Sequence, residues 1–352
     1  MNGSDKPCRL LYLVGQLGLG GLERQLFYLL KTVDRHKYKP AVAVWNYREA
    51  DPYVQQIRAL GIPVLSLGQN ISRLEKATAF RALVSRLRPE IVHSYSFYTN
   101  SIAWLATVGS SALPVGSLRS SVLYAQQETG KLLGRVCARW PSTQICNSAE
   151  AKKTAEYCKT LFKPKQMYLV RNGLDLSVFS FRPSALGVTL LAVGNLYQAK
   201  RWDRLIRITS LLSMKGIKLQ VLLVGDGPLR GELESLVKTL KVDDCFRFLG
   251  RRKQIPDLLA DSSFLVHTAE DEGCPNVVME AMACGRATVA MDAGDIGYLV
   301  EDGKTGFVVQ RGDETTFAER VSRLLSDREL CDRMGLAARV KAEKEFRLER
   351  LL

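Results

Sequence analysis

The chain has 352 residues, 46% hydrophobic and 24% charged, which excludes a disordered, collagenous or coiled-coil protein and suits two globular domains. Its net charge of +14 is lopsided: residues 1–170 hold 23 Lys and Arg against 10 Asp and Glu, and residues 171–352 hold 27 against 26. The basic half should face something anionic.

No apolar run reaches the length of about 18 residues expected of a transmembrane helix. The opening MNGSDKPCRLLYLVGQ has a charged start and a strand-sized apolar run, so it is not read as a signal peptide. Eight cysteines, at 8, 137, 146, 158, 245, 274, 284 and 331, form no CxxC, and His36, His93 and His267 are far apart in sequence. Reduced thiols in a cytoplasmic protein are the expectation, with no disulfide framework and no metal site.

In chain order, the first half offers strands at Leu10–Gly15, Ala41–Trp45, Pro63–Leu67, Ile91–His93, Val115–Leu118, Thr143–Cys146 and Met167–Val170. Helical patterns between them include Leu22–Lys31, Ala77–Leu87 and Ala149–Thr160. The second half restarts with Val188–Val193, Leu219–Val224, Phe246–Leu249, Ser263–His267 and Ala287–Met291. Continuous apolar strands alternating with helices predict parallel sheets covered on both faces. The punctuated stretch Arg171–Gly187 separates the two runs. The predicted organisation is α/β, with two doubly wound Rossmann-like domains. The bounds are 1–178 and 179–335, with a last helix, 336–352, returning to the first domain.

Three segments carry possible chemistry. The first strand runs into Gly15-Gln-Leu-Gly18-Leu-Gly20-Gly21-Leu-Glu23-Arg24, where glycines allow a ligand close to the backbone and a helix start favours an anion. Its spacing departs from a dinucleotide fingerprint, and a tight strand–helix turn explains it equally. A second turn, Gly225-Asp-Gly-Pro228, reads first as a structural βα turn, with Pro228 suited to the next helix. The richest segment is Thr268-Ala-Glu270-Asp271-Glu272-Gly273-Cys274-Pro275-Asn276-Val-Val-Met-Glu280. Three acids end an apolar strand and a helix opens at Pro275. Glu280 then sits among apolar neighbours, where a carboxylate needs a partner such as a ligand diol.

The frame E-G-x-P-N-x-x-x-E-A-M-A-x-G, with Glu272 and Glu280 separated by seven residues, resembles the E-x7-E signature of the retaining glycosyltransferases of family 4. Ordered pieces over residues ~9–310 support it: Gly20-Gly21-Leu-Glu23-Arg24, Asn147-Ser148, Asn172-Gly173-Leu-Asp175, Val193-Gly194-Asn195-Leu196 with Lys200-Arg201-Trp202-Asp203, Gly225-Asp-Gly-Pro228 and Glu301-Asp302-Gly303-Lys-Thr-Gly306. The resemblance implies a GT-B fold, in which two Rossmann-like domains face a cleft. It also implies transfer of a sugar from a UDP- or GDP-sugar to an acceptor hydroxyl.

The same resemblance implies roles. Glu280 would hold the donor ribose and Glu272 would lie by the transferred sugar. Amides of Gly273, Cys274, Pro275–Asn276 and Val277 would meet the sugar and diphosphate. Lys200 would neutralise the departing diphosphate, with a solvated helix start as the alternative. Gly20 and Gly21 would let the first loop close over the phosphates, and Arg251 would contact the base. Asn195 stands where the family often has arginine, and Arg119 stands near a position often held by histidine, as a donor or acceptor contact. His93 reads as a buried polar residue at a strand end. No metal and no other cofactor is implied. The alternatives are another GT-B sugar-nucleotide enzyme, an epimerase or hydrolase, or a basic nucleic-acid-binding protein. Basic residues also line predicted helices: Arg73, Lys76, Arg81, Arg86 and Arg88 on one, and Lys131, Arg135 and Arg139 beside Leu132, Leu133 and Val136 on another. They suit a lipid-linked acceptor for surface polysaccharide at an anionic membrane, or a solvated face.

Overall fold

The structure is a computed structural model, and it describes residues 6–157, 161–182 and 187–351. The end of the predicted helix Ala149–Thr160, Cys158 and part of the predicted linker lie outside the described residues. The chain divides into two compact units. One runs to Gly173 and resumes at Leu348; the other is Leu174–Arg347.

The first unit carries seven parallel strands: β1 (Cys8–Val14), β2 (Tyr38–Val44), β3 (Val64–Ser66), β4 (Ile91–Ser94), β5 (Leu113–Leu118), β6 (Thr143–Cys146) and β7 (Gln166–Leu169). Their order is β3-β2-β1-β4-β5-β6-β7. Side chains of a strand alternate between faces, and β1 shows the consequence. Tyr12 and Val14 enter a core with Leu26, Leu30, Val42 and Ile57. Leu11 and Leu13 enter another with Phe80, Val84, Val92 and Ala103. Each fully buried side chain of this kind contributes roughly 1.5–3 kcal/mol of transfer free energy. Helix Arg73–Leu87 begins at a capping box, in which Ser72 accepts from the Glu75 N–H and Glu75 accepts from the Ser72 N–H. It stops at Arg88, whose φ of 46° is left-handed.

The second unit carries six parallel strands: β8 (Thr189–Val193), β9 (Gln220–Val224), β10 (Phe246–Gly250), β11 (Phe264–His267), β12 (Thr288–Met291) and β13 (Gly306–Val309), in the order β10-β9-β8-β11-β12-β13. β13 is an addition to the expected strands. One continuous core joins Leu190, Ala192, Val266 and Val289 to Trp202, Ile206 and Phe317 of the covering helices. Helix Arg328–Glu345 closes this unit. The last described residues, Leu348–Leu351, form a 3-10 turn belonging to the first unit, where Leu351 lies against Gly173.

In each sheet the strand order reverses once, between β1 and β4 and between β8 and β11. Ligands of open α/β sheets bind beyond the carboxyl ends of the strands at such a reversal.

Candidate active site

At the reversal of the second unit, β8 and β11 run side by side, with Leu190 opposite Phe264 and Leu191 opposite Leu265. Their ends therefore deliver Asn195 and Lys200 on one side and His267 to Glu272 on the other. Lys200 closes a 3-10 turn, Gln198–Lys200, ahead of helix Trp202–Met214. The turn is fixed from several directions. Trp202 Nε1 donates to the Asn195 carbonyl at 3.0 Å. Thr268 Oγ1 donates to the carbonyls of Lys200 and Arg201 at 3.1 Å each, and the Glu270 N–H donates to the Ala199 carbonyl at 2.8 Å. Arg201, in the left-handed region at φ 49°, pairs with Asp203 at 3.0 Å and Glu270 at 2.6 Å, and Arg204 reaches Glu270 at 3.1 Å. Of the three acids ending β11, Glu270 is thus committed to arginines, and Glu272 turns elsewhere.

Glu272 Oε1 forms an ion pair with Lys200 Nζ and accepts from His267 Nε2 at 2.9 Å. Its side chain is only 11% exposed. Burial pushes its pKa up, but the Lys200 charge and the His267 bond outweigh burial and hold the carboxyl at about 2. Glu272 is therefore an anion at neutral pH. The loop beyond it needs glycine at 294: that residue has φ +58°, and a Cβ there would fall 2.3 Å from the Gly273 carbonyl oxygen and 2.4 Å from that of Glu272. The Asp295 N–H donates to the Gly273 carbonyl at 2.8 Å, tying the same loop to the end of β12.

Helix Asn276–Ala283 starts directly after this loop, with Pro275 as an N-cap that offers no side-chain bond. The first amides of a helix have no intrahelical partners and favour an anion. Gly273, Cys274, Pro275 and Val277 are buried around this start, Asn276 is half-buried, and Glu280 is 2% exposed one turn further in. Lys200, Glu272 and this helix start are thus gathered at one strand reversal. Asn195 is exposed at the end of β8, and Arg251 is exposed just past β10, beyond β9 from β8. Among the described residues no group of three or more His, Cys, Asp or Glu side chains is assembled as metal ligands.

His267 was not singled out from sequence as a site residue, yet it is fully buried and bonded to the central carboxylate. Its one sequence signal is a polar side chain ending the apolar run Phe264-Leu-Val.

The reversal of the first unit has its own polar set. Gly20 is the N-cap of helix Gly21–Thr32; a Cβ there would lie 2.1 Å from Glu23 Oε2, because Glu23 folds back over the loop. Burial raises the Glu23 pKa. At the end of β4, His93 Nε2 is 3.0 Å from Ser117 Oγ. Arg119, just past β5, lays its guanidinium on the Tyr95 ring at 4.3 Å. Burial, then the Arg119 charge, lower the His93 pKa to about 3, so its ring is neutral. Asn147 and Asn172 meet each other at 3.5 Å, and Gln25 bonds the Gly173 carbonyl and N–H at 2.7 and 3.0 Å. Those motif residues hold the unit together.

Comparison with known proteins gives the family and the fold. The model for Glycosyltransferase Family 4 matches residues 19–178, and that for Glycosyl transferases group 1 matches 187–327. The N-acetyl-alpha-D-glucosaminyl L-malate synthase of Bacillus anthracis is 32% identical over 163 residues, 46% of this chain and 42% of that protein, so the match spans less than half of that relative's length. The Bacillus subtilis glycosyltransferase EpsF is 26% identical over 320 residues, 83% of this chain and 81% of that one. The structure of Anabaena HepE in complex with UDP-glucose superposes with a TM-score of 0.82 at 20% identity over 97% of this chain and 96% of that one, a likeness of fold. The two family models lie end to end on the two units, and the chain belongs to the group 1 glycosyltransferases of family 4, with the GT-B fold.

Proposed function

We propose that the chain transfers a sugar, with retention of anomeric configuration, from a UDP- or GDP-sugar to the hydroxyl of a lipid-linked glycan in surface polysaccharide synthesis. The observation that carries this reading is the joint placement of Lys200, Glu272 and the helix start at Asn276 at the reversal of the second sheet. In the reaction the bond from the anomeric carbon to the phosphate oxygen breaks, and the diphosphate leaves with the electron pair. The acceptor oxygen bonds to the same face of the sugar, and its proton passes to the departing phosphate oxygen. Negative charge grows on the diphosphate, where Lys200 and the N–H groups of Gly273, Cys274, Asn276 and Val277 offset it without a metal ion. Glu280 holds the ribose diol, Glu272 accepts from sugar hydroxyls and Arg251 meets the base. In the first unit, the loop at Gly20 and Gly21 and the Arg119 guanidinium are offered as ligand contacts of that unit.

The test is a melting screen with UDP-glucose, UDP-N-acetylglucosamine, GDP-mannose and ADP-glucose, since a ligand of the folded state raises the midpoint. One of them should raise it, and EDTA should not change turnover. Lys200→Ala should cut kcat/KM by about 100-fold or more, and Glu280→Ala should abolish the midpoint shift with circular dichroism intact. Wild-type turnover in either variant would overturn the reading. Donor breakdown that needs no acceptor would favour a hydrolase.

The acceptor side is proposed to rest on an anionic membrane surface. The pair of helices Val122–Thr129 and Lys131–Arg139 carries Leu123 at 71% and Leu132 at 77% exposure, beside the exposed Lys131 and Arg135. Arg139 departs from the expected stripe: it turns onto the Trp140 ring at 5.0 Å and is half-buried. No described helix is long and apolar enough to cross a membrane. Vesicles with and without phosphatidylglycerol separate the cases. Sedimentation with the anionic vesicles alone, reduced by Lys131→Glu with Arg135→Glu and by Leu123→Ser with Leu132→Ser, is expected; equal binding to neutral vesicles counts against the idea.

A further inference from the structure

We infer that His267 is a positioning residue that keeps Glu272 in place while Lys200 changes partner from the carboxylate to the donor diphosphate. The inference rests on the roles of Lys200 and Glu272 proposed above.

Without donor, one oxygen of Glu272 is held from two sides, by Lys200 Nζ and by His267 Nε2. The two donors differ in freedom. Lys200 has a four-carbon stem with its side chain 24% exposed. His267 ends a central strand, is 0% exposed and has the Trp202 ring edge-on at a centroid distance of 6.5 Å. When a diphosphate arrives, the ammonium can turn toward it and the imidazole cannot.

At that moment Glu272 loses its cation in a site that is nearly closed to water. A buried carboxylate stripped of its partner is strongly disfavoured, so it would swing outward or take up a proton. The first change would remove the acceptor proposed to face the sugar, and the second would take away its charge and make one of its oxygens a donor. The His267 bond survives the exchange and prevents this. An ionised carboxylate only accepts, so Nε2 carries the hydrogen. Nδ1 is buried with no hydrogen-bond partner among the described residues. A leucine would fill this place on an apolar strand without that cost, so the ring is present for its Nε2 bond.

The experiment compares His267→Leu with His267→Gln, whose side-chain amide can reach the same oxygen, using UDP-glucose, UDP-N-acetylglucosamine and GDP-mannose as donors. Loss of positioning should lower kcat about 10- to 100-fold in H267L while donor affinity by calorimetric titration shifts less than about threefold, because Lys200 still meets the diphosphate. H267Q should recover most of kcat. Wild-type kcat in H267L, or no recovery in H267Q, overturns the inference. If H267L does not fold, a cycle of His267→Phe, which also lacks the Nε2 donor, with Glu272→Gln decides: non-additive losses support the coupling, and additive losses overturn it. Should K200A and E272Q both keep wild-type turnover, the site reading itself is lost. If they are impaired and H267L is not, only the role of His267 is.

Discussion

Two titrating side chains, Glu272 and His93, tie this protein's stability to pH in different windows. The Glu272 carboxyl is lowered from 4.5 to about 2. A depressed carboxyl stabilises the fold fully above its unfolded value and loses that contribution as pH falls through the folded one. The gap between wild type and Glu272→Gln in urea unfolding should therefore be constant above about pH 5 and close between about 4.5 and 2. His93 is lowered from 6.5 to about 3. Here the unfolded state takes up the proton first, so stability falls as pH drops below 6.5 and goes on falling toward 3. His93→Asn should lose the fall in stability that His93 contributes between pH 6.5 and 5, where Glu272 contributes none and the raised Glu23 carboxyl acts with the opposite sign. An unchanged slope in that variant would refute the assignment of the neutral ring.

Among the elements, helix Ile255–Ala260 is secured at its C-terminal end by one buried side chain. Arg286 Nε donates to the Leu259 carbonyl at 2.7 Å and Nη2 to that of Ala260 at 3.0 Å, while Nη1 reaches the Arg182 carbonyl at 2.9 Å. Arg286→Met removes three side-chain hydrogen bonds at about 1 kcal/mol each, so a loss of roughly 3 kcal/mol is expected. Urea unfolding should show a lower midpoint at unchanged slope; an unchanged midpoint would contradict the arrangement. The same scale explains what was legible in the sequence. Glu272, Gly273 and Glu280 stood out because a single loop and helix carry them, so spacing along the chain equals spacing in the site. Lys200 was found through its own local motif. His267 escaped because its partner is supplied by the loop's fold, and a lone polar residue ending an apolar strand is ordinarily a satisfied core group. β13 escaped because Gly306-Phe-Val-Val is short and follows a turn. Most other strands were placed to within a residue or two, since buried parallel strands are continuous apolar runs.

At the scale of the molecule, the charge asymmetry falls on units with separate sheets and separate cores. Two calorimetric transitions are therefore expected. Arg286→Met should lower only the one belonging to Leu174–Arg347, and a sugar nucleotide should raise that same one. A single transition, or a ligand shift confined to the other unit, would argue against the division of labour. The packing of Leu348–Leu351 on the first unit, with Leu351 against Gly173, has a further consequence for anyone recombining this chain with a relative. A graft of one unit needs two crossovers, after Gly173 and after Arg347. A hybrid cut only at Gly173 would pair the host's first unit with a foreign terminal turn, and its defects would be mistaken for donor incompatibility.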